Sequence, residues 1–295
     1  METILITCLI RNNEKYIPYM IKMFDSLEKN CDYNFKYLIY TNNNTDKSLE
    51  LLNQNKLSNM KIIEENLEED ILNMKRIKRL YYLREKLLNS VMKEDFHYLL
   101  MLDSDIFLNY RILEEAIDKL NKTNFEAITT NTLFGPFLPF IFYYDNFSLI
   151  NREGESFSYS GPEGKTFKKI LKFLKFAVVD MTFAKDTREV KSSFGGFFLI
   201  KKNNLFKKSI TYLKDIKEEK CEHIDFNKNF KIGLAADINP LRLEGDESEI
   251  KYKKYMNIIM KNNYDNRDDT KNILLVLLIV VILISIILYR KFIRS

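Results

Sequence analysis

The stretch that most constrains this chain is Phe96-His97-Tyr98-Leu99-Leu100-Met101-Leu102-Asp103-Ser104-Asp105. A short run that is apolar at nearly every position, and that polar residues end abruptly, reads as a strand buried in a sheet. In an open α/β sheet the last residues of such a strand stand at the carboxyl edge, where ligands bind. Two carboxylates one residue apart repel each other there unless a cation, a donor network or a proton intervenes. A hard divalent ion bridging them to substrate phosphates is the natural cation. Asp103-Ser104-Asp105 is also ordinary turn chemistry, so the pair alone does not define a site.

Around this stretch, strand and helix patterns alternate. Strands are expected at 2–10, 35–40, 60–63, 97–102 and 125–130, and helices at 16–29, 47–55, 67–93 and 111–122. The 67–93 helix sets Ile71, Met74, Ile77, Tyr81, Leu87 and Val91 on one stripe and Lys75, Arg76, Lys78, Arg79 and Arg84 on a basic face. Such alternation predicts an α/β fold built of right-handed βαβ units around a mostly parallel sheet. Neither the dinucleotide-binding glycine fingerprint nor a phosphate-binding P-loop occurs. The second half is less regular. Residues 145–170 read as a polar excursion, Gly195-Gly196 enters a strand, a short helix starts at Cys221-Glu222, a strand follows at 231–236 and a helix at 249–260. Glycines at a strand entrance indicate close approach of a ligand or of another backbone.

Composition excludes several classes. With 8 Gly and 5 Pro in 295 residues, long disordered stretches are not expected. The formal charge of +5 does not gather into one basic block before the C-terminus, so nucleic acid is not an expected partner. Cys8, Cys31 and Cys221 have no zinc spacing and read as free thiols of a reducing compartment. His97 and His223 are the only histidines, so any metal must rest mainly on carboxylates.

The C-terminal region is distinct. Residues 261–272 form a polar tether, 273–289 are apolar except for Ser285, and 290–295 are a basic tail. As a helix, 273–289 spans about 25 Å, enough for a thin, endoplasmic reticulum-type bilayer. The N-terminus lacks the positive region and long apolar run of a secretory signal. A single-pass C-terminal anchor that leaves the globular domain in the cytosol is the expectation, although Arg290, Lys291 and Arg294 pull the other way under the positive-inside rule.

The order of these features resembles a GT-A type glycosyltransferase. Arg76-Ile77-Lys78-Arg79-Leu80-Tyr81-Tyr82-Leu83-Arg84, then Leu99-Leu100-Met101-Leu102-Asp103-Ser104-Asp105-Ile106-Phe107, then Ser193-Phe194-Gly195-Gly196-Phe197, then Cys221-Glu222-His223-Ile224-Asp225-Phe226-Asn227 are similar to motifs of the fungal capsule-associated α-mannosyltransferase family. A more distant similarity runs to the mannan-polymerase type of mannosyltransferase. The chain departs from the capsule family at Glu85, where the family has Asn, and in carrying its anchor at the C-terminus rather than the N-terminus.

The resemblance implies a Rossmann-like nucleotide-sugar-binding half over 1–130 and an acceptor half over 131–260. It also implies transfer of a sugar, in the first instance mannose from GDP-mannose or otherwise a sugar from a UDP-sugar, with Mn²⁺ or Mg²⁺, to a glycan, glycoprotein or glycolipid. On this reading Asp105 is the direct metal ligand and Asp103 reaches the ribose or a metal-bound water. His223 is a candidate third ligand. Thr7, Leu9, Arg11 and Asn12 surround base and ribose, and Arg76 and Arg84 take the diphosphate or sugar hydroxyls. Gly196 lets ligand or backbone approach. Glu222 is the candidate base or acceptor-orienting group, and Asp180 an alternative carboxylate for a retaining reaction. A nucleotidyltransferase also pairs acids on such a sheet, but Arg11-Asn12-Asn13-Glu14 lacks its glycine- and lysine-rich first loop. A tail-anchored scaffold that kept the fold and lost catalysis is the non-enzymatic alternative.

Overall fold

The structure is a computed structural model that describes residues 1–134, 145, 147–156, 186–207, 209–213 and 220–242. Its main sheet runs in the order β3 (Met60–Glu65), β2 (Asn34–Asn42), β1 (Thr3–Ile10), β4 (Tyr98–Leu102), β10 (Phe197–Lys201), β6 (Ala127–Thr130), β11 (Ile232–Ala235), β9 (Thr187–Ser192), β8 (Ile150–Asn151). The first four are parallel neighbours, as are β6 and β11. Strand β10 is antiparallel to both β4 and β6. This mixed, largely parallel sheet with helices on both faces fits the GT-A architecture that the sequence resemblance implies.

The unbroken apolar run of β4 follows from its place. It is hydrogen-bonded on both edges, to β1 and β10, and every residue of it is buried. Successive side chains point to opposite faces, so both alternations must be apolar. One face carries Ile4, Ile6, Leu100 and Leu102 against helices α1 (Ile17–Asn30) and α5 (Tyr110–Lys122). The other carries Leu5, Leu99, Met101 and Phe198 against α4 (Arg76–Val91), which contributes Tyr81, Leu87, Leu88 and Val91. Helix α5 is started by Asn109, whose Oδ1 accepts from the Ile112 amide at 3.0 Å, and is closed by Lys119 and Lys122 at the negative end of its dipole. Helix α2 (Ser48–Gln54) fills the crossover from β2 to β3.

Two expectations need correction, and a third feature was not expected. The single helix over 67–93 is two, α3 (Glu69–Leu72) and α4, separated where Lys75 is extended (φ −52°, ψ 142°). The Arg79 guanidinium donates to the Leu72 carbonyl, which satisfies an acceptor freed by the break. Second, Arg84 is not on a solvated basic face; it is buried on the side of α4 that carries Tyr81, Leu87 and Leu88. Third, a separate small sheet joins β5 (Ile106–Phe107), β12 (Leu241–Arg242) and β7 (Leu133–Phe134) beside the main one. Two-residue strands carry no periodicity by which to be read. The short helices α6 (Lys202–Phe206) and α7 (Glu222–Asn227) complete the fold.

Among the described residues no helix is long and apolar enough to cross a membrane. The expected helix 249–260, tether 261–272, membrane helix 273–289 and basic tail 290–295 lie outside the described residues, as does Asp180.

Candidate active site

The turn after β4 is held by backbone. The Asp103 amide donates to the Gly196 carbonyl at 2.9 Å, and the Ile106 amide to the Asp103 carbonyl at 3.0 Å. Because β10 runs antiparallel to β4, its start meets the end of β4, and the glycine pair lands against the acids. Gly196 has φ +74°, and a Cβ there would lie 2.5 Å from Ile106 Cγ1 and 2.8 Å from its Cδ1. The glycine is therefore required for backbone approach to the turn. The hydroxyl of Thr132 donates to the Gly195 carbonyl, and the Asn13 side-chain amide, from the loop after β1, donates to the Ser104 hydroxyl.

These elements wall a cavity of about 500 Å³ at the carboxyl ends of β1 and β4. Four carboxylates line it, Asp103, Asp105, Asp145 and Glu222, together with Arg76, Arg84 and Arg242. Arg84 is the hub. Its Nη2 donates to Asp103 Oδ1 at 3.0 Å, its Nε stands 3.6 Å from Glu222 Oε1, and its guanidinium lies 5.1 Å from the centre of the Phe194 ring. The side chain is only 5% exposed, and Nε and Nη1 make no hydrogen bond. Burial alone would lower its pKa, but the Asp103 and Glu222 carboxylates outweigh this and raise it, so the charge is fixed. Arg242, on β12, donates from Nε to Asp105 Oδ2 at 2.8 Å.

Burial shapes the acids. Asp105 is pushed up to about 6 by desolvation and by the neighbouring Asp103, against the pull of Arg242. Glu222 and Asp145 are both raised, chiefly by burial; Arg84 opposes the shift at Glu222, and hydrogen bonds from Ser148 oppose it at Asp145. His223 is held neutral, its pKa lowered by burial and then by Arg84. Its ring stacks on Phe194 with centroids 3.7 Å apart, Nε2 is 3.5 Å from Glu222 Oε1, and neither ring nitrogen has a hydrogen-bond partner.

Of the residues singled out in the sequence, Leu9, Arg76, Arg84, Asp103, Asp105, Glu222 and His223 line this one cavity. Thr7, Arg11 and Asn12 do not. Thr7 is fully buried within β1, between Leu38 and Met101 of the adjoining strands. Arg11 is exposed. The side chain of Asn12 is engaged by Thr45, donating to its hydroxyl at 3.0 Å and accepting from its amide at 2.8 Å. Gly196 acts through backbone approach to the acid turn. His223 stands beside Glu222, and among the described residues no group of three His, Cys, Asp or Glu side chains is placed to hold a metal ion, so Asp103, Asp105 and His223 do not form a ready-made triad. Lining residues that the sequence did not single out for the site include Asn13, Ser104, Asp145 and Arg242. Two of them carried a signal, Ser104 by lying between the paired acids and Asn13 by its place in the loop directly after the first strand.

A divalent ion fits this donor set. Asp103 and Asp105 are hard oxygen ligands whose mutual repulsion raises Asp105 and would be relieved by a dication. Two carboxylates, with the remaining positions filled by water and substrate phosphate, is the usual Mg²⁺ arrangement.

No protein-family model matches the chain, and no curated protein matches it in sequence. Among solved structures it is similar to S. aureus TarS 1-349, with 14% identity over 93% of this chain and 69% of that chain, at a TM-score of 0.48. The longer S. aureus TarS is matched over 43% of its length at a TM-score of 0.46. The mannosyltransferase PcManGT from Pyrobaculum calidifontis, in complex with GDP-Man and Mn²⁺, is 10% identical over 87% of this chain and 61% of that chain, at a TM-score of 0.46. Similarity this distant carries no functional argument, and the site's own residues must supply it.

Proposed function

We propose that this chain is a metal-dependent GT-A glycosyltransferase that moves a sugar, mannose from GDP-mannose in the first instance, from a nucleotide-sugar donor to a glycan, glycoprotein or glycolipid. The observation that carries the reading is the convergence of Asp103, Asp105, Arg84 and Glu222 on one cavity at the carboxyl ends of parallel strands. The preference for mannose rests on the sequence motifs alone.

Asp105 and Asp103 would hold Mn²⁺ or Mg²⁺, which supplies positive charge beside the leaving diphosphate. Arg84 lines the cavity with Nε and Nη1 making no hydrogen bond, and Arg76 stands at the start of the same helix; both suit phosphate oxygens or sugar hydroxyls. In an inverting reaction the anomeric C–O bond to the diphosphate breaks as the acceptor oxygen attacks, and the acceptor's proton passes to Glu222. Burial raises Glu222 above an ordinary carboxylate, which makes it a stronger base once ionised. The apolar 273–289 segment would anchor the enzyme at a membrane surface, with the catalytic domain on the cytosolic side of an endoplasmic reticulum-type bilayer.

The test is to incubate the purified chain with GDP-mannose and a panel of UDP-sugars in Mn²⁺ and to follow nucleoside diphosphate release. The reading expects release from one donor and its loss in Asp105→Ala. No release from any donor, with Asp105→Ala indistinguishable from wild type, would sink it.

A further inference from the structure

The contact between Arg242 and Asp105 has no part in a simple acid-pair site. Arg242 stands opposite Ile106 in the antiparallel β12–β5 pair, so the strand register itself presents the guanidinium to the carboxylate one residue earlier. The two side chains are 16% and 20% exposed and 2.8 Å apart. Across the turn, Arg84 takes Asp103. Both carboxylates suited to a divalent ion are therefore already engaged by arginines, and both arginines line the cavity.

We propose that Arg242 is a displaceable internal cation. It holds Asp105 in the free protein and passes to the donor diphosphate when a divalent ion takes Asp105, so that ion and nucleoside diphosphate bind with positive linkage. The inference rests on the donor-site reading above. A divalent ion arriving alone must compete with the Arg242 guanidinium for Asp105 and breaks a largely buried ion pair, which is unfavourable. A diphosphate supplies new acceptors of the geometry that a guanidinium fork matches. The coupling is reciprocal, so each ligand tightens the other by the same factor.

The free-ion signal of Mn²⁺ in electron paramagnetic resonance counts bound metal without any turnover. Titrations of the full chain, with and without GDP or UDP, are run on wild type, Arg242→Gln and Arg242→Lys. In wild type the nucleotide should tighten Mn²⁺ at least about tenfold, which is about 1.4 kcal/mol. In Arg242→Gln, Mn²⁺ alone should bind more tightly than in wild type, and the gain from nucleotide should shrink several-fold. An unchanged gain in Arg242→Gln overturns the proposal. If that variant does not fold, Arg242→Lys carries the test. Lacking the planar fork, it should lose part of the gain, and a gain equal to wild type overturns the proposal. Wild type that binds Mn²⁺ and nucleotide without linkage defeats this inference alone, whereas wild type that binds neither defeats the donor-site reading with it.

Discussion

Gly196→Ala tests how the acid turn is held. Two costs arise at that position, and the structure separates them. An L-residue at φ +74° costs about 1–2 kcal/mol relative to glycine. A methyl 2.5 and 2.8 Å from two carbons of the fully buried, β-branched Ile106 adds an overpacking cost of about 1–3 kcal/mol, because Ile106 has little rotamer freedom to yield. The total is about 2–5 kcal/mol, a large fraction of the about 5–15 kcal/mol by which folded proteins are stable. The assay is urea unfolding of Gly196→Ala, Ile106→Ala and the double variant, with unchanged slope required for comparison. Ile106→Ala removes both offending carbons, so in that background Gly196→Ala should cost only the backbone share, and the cycle should show a coupling of about 1–3 kcal/mol. Ile106 directly follows Asp105, so Gly196→Ala should also weaken Mn²⁺ binding with GDP, and the double variant should recover part of it. A Gly196→Ala cost below about 0.5 kcal/mol, or the same cost in both backgrounds, would refute the close-approach argument.

Arg84→Met leaves Asp103 and Glu222 without their shared cation, so it should destabilise by about 3–5 kcal/mol at pH 8 and by less as pH falls, because the Glu222 carboxyl, raised by burial, takes up a proton more readily than an ordinary carboxyl; urea midpoints at pH 8 and pH 5 check this. The Asp105 carboxyl sits at about 6 in the fold against an ordinary 3.8, so it holds its proton more tightly when folded than when unfolded. Its contribution is therefore most favourable below pH 4 and declines as pH rises to about 6, and in EDTA the stability of Asp105→Asn relative to wild type should increase across that window and then level off. Glu222→Gln keeps the shape and removes the base. It should reduce transfer to acceptor by about 10²- to 10⁴-fold while nucleotide binding, followed by calorimetry, stays within a few-fold.

Much of the first half was legible because its signals are periodic. The strand and helix spacings located β1, α1, β2, α2, β3, β4 and α5 within two residues at most ends, and the apolar run at 97–102 announced a strand covered on both faces. The acids, the glycine pair and Glu222 were legible as chemistry. What local sequence does not carry is pairing between distant segments. Nothing near Gly195 says that β10 enters the sheet in reverse between β4 and β6, yet that reversal brings the glycines to Asp103. Arg242 is one arginine in a short strand, and only its register with Ile106 makes it a partner of Asp105. Arg84 was singled out for the site, but its burial was hidden for a related reason. On a helix rich in Lys and Arg it reads as solvated, whereas Asp103, Glu222 and Phe194, from three other segments, form the buried site that accepts it.

The most direct test of the central claim is anomalous diffraction at the manganese edge from crystals grown with Mn²⁺ and GDP. The account predicts one manganese peak bound by Asp105, in contact with the diphosphate and with Asp103 close by, inside the cavity walled by Arg84 and Glu222. Nucleotide bound in the cavity with no manganese at Asp103–Asp105, or manganese and nucleotide bound elsewhere on the chain, would contradict it.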